Sequence, residues 1–126
     1  MEKKRILLVD DDAGFTQMLR LNLEAEGYEV AVENDPRMAK AAALSFAPHV
    51  ILLDVIMPEQ EGPDVFSEIH QDDALRHIPI IFLTATVTRE ETQEERVIGG
   101  HPFVAKPADL DGLVKLIEET LVKNIF

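Results

Sequence analysis

Short apolar runs that end in polar residues recur along this chain and constrain its fold more than any other feature. The clearest are RILLV (5–9), HVILLD (49–54) and IPIIFLTA (78–85), and stretches with helical periodicity separate them. Continuous apolar strands divided by helices are typical of a parallel sheet covered on both faces. YEVAVE (28–33) adds an alternating outer strand and FVAK (103–106) a last one. We therefore predict an α/β fold, a (βα)5 doubly wound parallel sheet of five strands.

Five stretches between and after these runs have helical periodicity, and they span residues 15–27, 35–46, 63–73, 88–100 and 108–123. The expected inward positions are Phe15, Met18, Leu19 and Leu23 in the first, Val65, Phe66 and Ile69 in the third, and Leu110, Leu113, Val114, Ile117 and Leu121 in the last. Gly27 is expected to end the first helix. Asp35 is the expected N-cap of the second, with Pro36 at its first helical position. The very polar fourth stretch closes with two glycines.

Composition excludes several classes of function. The chain has 12 Lys+Arg against 24 Asp+Glu, a formal net charge of −12. Such a surface repels nucleic acid and anionic membranes, so we expect direct binding to neither, whereas a divalent cation or a basic partner suits it. The absence of cysteine excludes disulfides and thiolate sites and fits a cytoplasmic location. No apolar run approaches the length of a membrane span, and the N-terminal one is too short for a signal peptide.

The polar residues that follow the apolar strands form a set. Right-handed crossovers bring the carboxyl ends of parallel strands to one edge of the sheet, where functional crevices lie. The residues expected at this edge are Asp10, Asp11, Asp12, Asp54, Thr84 and Lys106. The edge thus combines several acids with a hydroxyl and a single base. If the first and third strands are neighbours, their ends lie about 5 Å apart, and Asp54 shares a pocket with the first aspartates.

Carboxylates at this spacing repel one another and need a positive charge against them. Hard oxygen ligands suit Mg²⁺, which keeps waters for a phosphate. An Asp oxygen also accepts a phosphoryl group once Mg²⁺ and a lysine offset its charge. Thr84 and Lys106 are candidates for contacts with that group.

Each residue alone has a structural alternative. The aspartate run can cap the following helix and favour its positive end. Thr84 can be a strand-end or capping residue, and Lys106 a solvated lysine. The four histidines, His49, His70, His77 and His101, are scattered without metal-binding spacing, and we expect none to be a ligand or catalytic base. The argument for a site is the occurrence of suitable residues at several equivalent strand ends.

These residues resemble the receiver domain of two-component response regulators over essentially the whole chain. The stretches that carry the resemblance are LLVDDD, LLDVIMPEQEG, IIFLTA and FVAKP, matching in kind, order and spacing. The resemblance implies a flavodoxin-like sheet with strand order 2-1-3-4-5. We expect residues 1–126 to form one receiver domain, with no output domain in this chain.

By this resemblance, Asp54 accepts a phosphoryl group from the phosphohistidine of a sensor histidine kinase or a histidine phosphotransfer protein. The implied Mg²⁺ ligands are Asp10, Asp11, Asp54 and the backbone carbonyl of Ile56. Thr84 corresponds to the switch hydroxyl and Lys106 to the lysine that pairs with the phosphoryl group. Asp12 is not usually a ligand in the family, so we assign it to capping the next helix.

The resemblance also implies a signalling switch rather than a turnover enzyme. Its output is expected at the face formed by the predicted fourth helix, fifth strand and fifth helix, as a contact with a downstream protein or a homodimer. Three residues near this face depart from the family pattern. Phe103 replaces the usual switch tyrosine, Pro102 removes a backbone donor, and Ala108 stands where Phe is common.

Two further positions bear on the lifetime of an aspartyl phosphate. Ile56 and Thr86 lie two residues beyond Asp54 and Thr84, where family members have the side chains that flank the attacking water. The apolar Ile56 is expected to shield one side of the phosphoryl group, its structural alternative being packing against the loop, and Thr86 is short, so neither is expected to orient that water. A long-lived phosphorylated form is the expected result.

Three other functions share parts of this pattern. A haloacid-dehalogenase-type phosphatase has an Asp-x-Asp that Asp10 and Asp12 fit, but Asp54 would have no role and no later acidic pair is present. An interaction module that works without phosphorylation usually loses one of the acids, the Thr or the Lys, and this chain keeps them all. A flavin carrier needs a phosphate-cradling loop where this chain has three aspartates.

Overall fold

The described part of the chain alternates strands and helices in the predicted order. The computed structural model describes residues 3–54, 62–84, 97–98, 101–105 and 110–123. The strands are β1 (Arg5–Val9), β2 (Glu29–Glu33), β3 (Val50–Asp54), β4 (Ile80–Thr84), β5 (Val97–Ile98) and β6 (His101–Ala105). The helices are α1 (Ala13–Ala25), α2 (Ala39–Phe46) preceded by a 3₁₀ turn at Pro36–Met38, α3 (Gly62–Gln71) and α4 (Leu110–Lys123), which is the predicted fifth helix.

The sheet has the order β2-β1-β3-β4-β6-β5. Strands β2, β1, β3, β4 and β6 are mutually parallel, which confirms the predicted doubly wound order, with β6 as the fifth parallel strand. The register pairs Val9 of β1 with Leu53 of β3. Asp10 and Asp54, the next residue on each strand, therefore reach the same edge of the sheet side by side.

The prediction that the fourth helix extends through residues 97 and 98 is wrong. Val97 and Ile98 form β5, which pairs antiparallel with β6 through Pro102 and His101 respectively. Two β-branched residues followed by Gly99-Gly100 are typical of a strand entering a tight hairpin, and here this local preference overrides the helical one. Residues 88–96 lie outside the described residues.

Both faces of the sheet are buried, which explains why the strands are apolar without alternation. Successive strand residues point to opposite faces. One layer packs under α2 and α3 and contains Leu7, Val9, Ile51, Leu53, Ile80 and Phe82 with Val65 and Ile69. The other packs under α1 and α4 and contains Ile6, Leu8, Val50, Leu52, Ile81 and Leu83 with Leu19, Leu23, Leu113 and Ile117. The outer strand β2 is less covered, as its alternating sequence predicts.

The buried side of α1 differs from the predicted one at two positions. Met18, expected inward, is 49% exposed, whereas Thr16 is only 2% exposed. The buried residues of α1 are Thr16, Leu19 and Leu23, spaced three and four residues apart. Hydrophobicity alone predicts that Met18 is buried, because it takes no account of the hydrogen bonds that Asn34 and the Ala13 carbonyl make with the hydroxyl of Thr16.

The helix ends follow the sequence signals. Gly27 has φ +99°, a left-handed conformation that favours glycine, and it follows α1 as predicted. Asp35 caps the Pro36–Met38 turn by accepting a hydrogen bond from the Arg37 amide at 2.9 Å. The hydrogen bond from the Arg37 side chain holds the pKa of the Asp35 carboxyl below its usual range. Within the described ranges, no helix has the length and apolarity needed to cross a bilayer.

Candidate functional site

Three carboxylates meet at the carboxyl edge of β1 and β3. Asp10, Asp11 and Asp54 each place one carboxylate oxygen within 4.8 Å of the other two. Asp10 is 1% and Asp54 5% exposed, whereas Asp11 is exposed to solvent. Two of the acids are thus buried, Asp54 at the end of β3 and Asp10 directly after β1, and the third faces water.

The donor set of this acidic cluster fits Mg²⁺. Ligand oxygens of an octahedral Mg²⁺ ion lie about 2.1 Å from it, and hence about 3 to 4 Å from one another. The oxygens here lie within 4.8 Å of one another, so a small inward shift brings them to that spacing. All three residues supply hard oxygen atoms, and the exposed side at Asp11 leaves room for the waters that Mg²⁺ keeps.

Hydrogen bonds hold the acidic loop, residues 10–12, against the start of α1. The backbone amide of Asp12 donates to Oδ1 of Asp10 at 3.0 Å. Oδ1 of Asp12 accepts from the Phe15 amide at 3.0 Å, which confirms the predicted N-cap of α1. The Asp10 amide donates to the Glu33 carbonyl at 3.2 Å and thereby extends the pairing of β1 with β2.

Asn34 is a neighbour of the site that the sequence analysis missed. Its side-chain Nδ2 donates to the backbone carbonyl of Asp10 at 2.7 Å and to Oγ1 of Thr16 at 3.1 Å. Thr16 in turn donates from its hydroxyl to the Ala13 carbonyl at 3.1 Å. The available signal was position: Asn34 directly follows β2 and so reaches the same edge as Asp10.

Of the remaining candidates, Thr84 and Phe103 are described through their backbones. Thr84 ends β4, one residue after Leu83, which pairs with Asp54, so its backbone lies at the same edge. Phe103 belongs to β6, and its backbone pairs with Phe82 of β4. Ile56, Thr86 and Lys106 lie outside the described residues, as does Ala108.

The fold and the acidic edge coincide with a known family. The sequence profile of the response regulator receiver domain matches residues 6–118. This chain belongs to that family. Receiver domains are the phosphorylation-activated switches of two-component signalling and are not classical turnover enzymes. They bind Mg²⁺ in an acidic pocket, and they interact with histidine kinases and downstream effectors.

Curated relatives of this receiver domain include longer regulators. It is 38% identical over 105 residues to the response regulator PleD of Caulobacter vibrioides, covering 83% of this chain and 23% of that protein. It is 32% identical over 122 residues to the DNA-binding response regulator MtrA of Mycobacterium tuberculosis, covering 97% of this chain and 52% of that one. The chain therefore spans about half or less of the length of these relatives.

Two solved structures match this chain over nearly their full length. The chemotaxis protein CheY4 of Vibrio cholerae superposes with a TM-score of 0.82 at 29% identity, covering 94% of this chain and 99% of that one. A putative response regulator from Chloroflexus aurantiacus gives a TM-score of 0.84 at 26% identity, with 96% and 99% covered. These matches support the doubly wound fold.

Proposed function

We propose that Asp54 of this receiver domain is the phosphoryl acceptor in a Mg²⁺-dependent transfer from a phosphohistidine. The donor is a sensor histidine kinase or a histidine phosphotransfer protein. The observation that carries this proposal is the meeting of Asp54 with Asp10 and Asp11 within 4.8 Å at the carboxyl edge of a receiver fold. Asp54 is the acid held on the central strand β3, where a nucleophile keeps a fixed orientation.

The transfer is a substitution at phosphorus. A carboxylate oxygen of Asp54 forms a bond to the phosphorus atom, and the bond from phosphorus to the histidine nitrogen breaks. The bonding electron pair returns to the imidazole, which then takes a proton. Asp10, Asp11, Asp54 and the Ile56 carbonyl would hold the metal, and Thr84 and Lys106 would contact phosphoryl oxygens. Bound Mg²⁺ supplies charge neutralisation for the phosphoryl oxygens.

Loss of the phosphoryl group is hydrolysis of the same aspartyl phosphate, so the chemistry is self-phosphorylation and self-dephosphorylation. Water attacks the phosphorus, and Asp54 leaves as a carboxylate. Because Ile56 and Thr86 do not orient that water, the phosphorylated state is long-lived. In that state Thr84 moves toward the phosphoryl group and Phe103 takes the space, which changes the surface near α4 and β6 for a downstream protein or a second copy.

Intact-mass measurement after incubation with acetyl phosphate and Mg²⁺ tests the acceptor. We expect one added phosphoryl group in the wild type, and none in Asp54→Asn or when a chelator replaces Mg²⁺. Asp64→Asn is the matched control, because Asp64 is an exposed acid on α3 that does not belong to the acidic cluster. Equal phosphorylation of Asp54→Asn and wild type would disprove the assignment.

A further inference from the structure

We propose that Asn34 is a positioning residue that presets the acidic loop for Mg²⁺ binding, an inference that rests on the proposed function of the acidic cluster. Asn34 follows the outer strand β2 and is not itself one of the clustered acids. It acts through the backbone of Asp10 and through Thr16. Its loss is expected to weaken Mg²⁺ binding while the acids themselves remain.

The geometry gives Asn34 two simultaneous donor contacts. Its single amide nitrogen carries two hydrogens, and the two acceptors are the Asp10 carbonyl at 2.7 Å and Thr16 Oγ1 at 3.1 Å. One acceptor belongs to the end of β1 and the other to the first turns of α1. The Asn34 amide therefore spans the loop between them, residues 10–12, from the side of β2.

Hydrogen bonds from an uncharged side chain stabilise the acidic loop, because the loop itself carries like charges. Asp10 and Asp11 lie within 4.8 Å of Asp54, and their repulsion favours opening of the loop. Asn34 bonds the carbonyl of Asp10 and not its carboxylate, so this hydrogen bond does not consume a metal ligand. Restraining the loop before the ion arrives lowers the ordering cost of binding.

The second acceptor of Asn34, the Thr16 hydroxyl, is buried and can be altered by substitution. Thr16 is 2% exposed, and its hydroxyl both accepts from Asn34 and donates to the Ala13 carbonyl. Thr16→Val keeps the shape and removes the hydroxyl, whereas Thr16→Ser keeps the hydroxyl. The hydrogen bond from the Asp10 amide to the Glu33 carbonyl does not involve the Asn34 side chain, so we expect the register of β1 and β2 to survive truncation of Asn34.

Calorimetric titration of the full chain with MgCl₂, at constant ionic strength and without a phosphoryl donor, tests the proposal. We expect Asn34→Ala to weaken Mg²⁺ affinity by about tenfold, as removal of outer partners of metal ligands typically does. Thr16→Val should weaken it in the same direction and Thr16→Ser should restore it. The double variant Asn34→Ala/Thr16→Val should lose less than the sum of the single effects, because both break one bridge.

Urea unfolding of each variant separates positioning from general destabilisation. Ile117→Val is the control, since Ile117 is buried in the layer under α1 and α4 and does not belong to the acidic cluster. It should lower the urea midpoint without changing Mg²⁺ affinity. Wild-type Mg²⁺ affinity in Asn34→Ala, or an equal loss in Ile117→Val, would overturn the inference.

Phosphorylation of the same samples keeps the two proposals distinct. If the wild type binds Mg²⁺ and gains a phosphoryl group on Asp54 while Asn34→Ala binds Mg²⁺ equally well, the positioning role alone fails. If the wild type neither binds Mg²⁺ nor becomes phosphorylated, both proposals fail.

Discussion

The charge of Asp11 affects the stability of the protein differently in the absence and in the presence of a cation. It is exposed, yet it lies within 4.8 Å of two buried carboxylates that strands β1 and β3 hold in place. Without a cation its charge opposes folding, and with a cation it contributes a ligand. Its stability effect therefore has opposite signs in the two conditions.

Asp11→Asn should stabilise the metal-free protein by about 1 kcal/mol, the Coulomb energy of unit charges about 4 Å apart in a water-like dielectric. The same change should weaken Mg²⁺ binding, because an amide oxygen replaces a carboxylate. Urea unfolding in the presence of a chelator measures the first effect and Mg²⁺ titration the second. Glu68→Gln, at an exposed position in the middle of α3 and outside the acidic cluster, should change neither. An unaltered Mg²⁺ affinity in Asp11→Asn would argue against the site.

Tyr28 gives the fold a pH dependence on the alkaline side. Burial raises the pKa of its phenol above the usual 10.0, and the nearby charges of Glu118 and Glu26 raise it further. The folded state thus holds the proton more tightly than the unfolded state. The resulting stabilisation is fully present below the unfolded pKa and is lost as the pH rises through the folded pKa.

The phenolate absorbance of the chain reports this group alone, because Tyr28 is its single tyrosine and it has no tryptophan. We expect the folded protein to titrate at a higher pH than the protein in concentrated urea. Glu118→Gln should lower the folded midpoint, while Glu119→Gln on the same helix should have a smaller effect. A folded midpoint at or below the unfolded one would contradict the assignment.

The position of a residue was predictable where it follows from the order and direction of the strands. It was not predictable where it depends on a hydrogen bond between two particular side chains. The meeting of Asp10 and Asp54 follows from parallel strands of known order ending at one edge. The bridge from Asn34 to Thr16 depends on the path of the chain after β2, which no periodicity encodes. Thr16 and Met18 exchange their expected places for that reason.

At the scale of elements, the start of α1 links structure to the site. Asp12 provides the cap of α1 through the Phe15 amide, and it directly follows two acids of the cluster. Asp12 therefore caps α1, whereas Asp10 and Asp11 are arranged as metal ligands would be. These two roles explain why three adjacent aspartates follow an apolar strand.

The cap can be measured without confusing it with charge. Asp12→Ala and Asp12→Ser both remove the carboxylate, but only serine retains an oxygen that accepts from the Phe15 amide. We expect Asp12→Ala to be less stable than Asp12→Ser by about 1 kcal/mol in urea unfolding. Equal stability of the two variants would show that the cap contributes nothing.

Strands of the sheet were easier to predict than the end of the polar helix. The central strands are buried on both faces, so their sequences are continuous apolar runs with little ambiguity. Val97 and Ile98 are only a two-residue strand, too short to show a period. Their strand conformation depends on antiparallel pairing with Pro102 and His101, which a search for helical periodicity does not detect.

Across the whole molecule, the order of the strands gives the acidic edge a direct connection to β6. Thr84 ends β4 and pairs in register with Ala105 of β6, whereas β3 and β1 separate β4 from β2. A change at Thr84 on phosphorylation is therefore expected to reach β6 before it reaches β2 and α2. This expectation agrees with the output face proposed above.

Beryllofluoride with Mg²⁺, a mimic of the phosphoryl group, tests this route by NMR. We expect the backbone amides of β6 and α4 to shift more than those of α2. Asp54→Asn should abolish the shifts. Changes confined to α2 would contradict the route.

The two outer strands of the sheet have a consequence for the behaviour of the protein in concentrated solution. Within the described ranges, the sheet ends at β2 on one side, with five residues, and at β5 on the other, with two. Exposed backbone groups on an outer strand are templates for pairing with another chain, and short strands flanked by charge limit that risk. Glu29 and Glu33 stand at the two ends of β2 on a chain of net charge −12. Charge repulsion between copies therefore opposes aggregation through β2, and the short length of β5 limits pairing at the other edge.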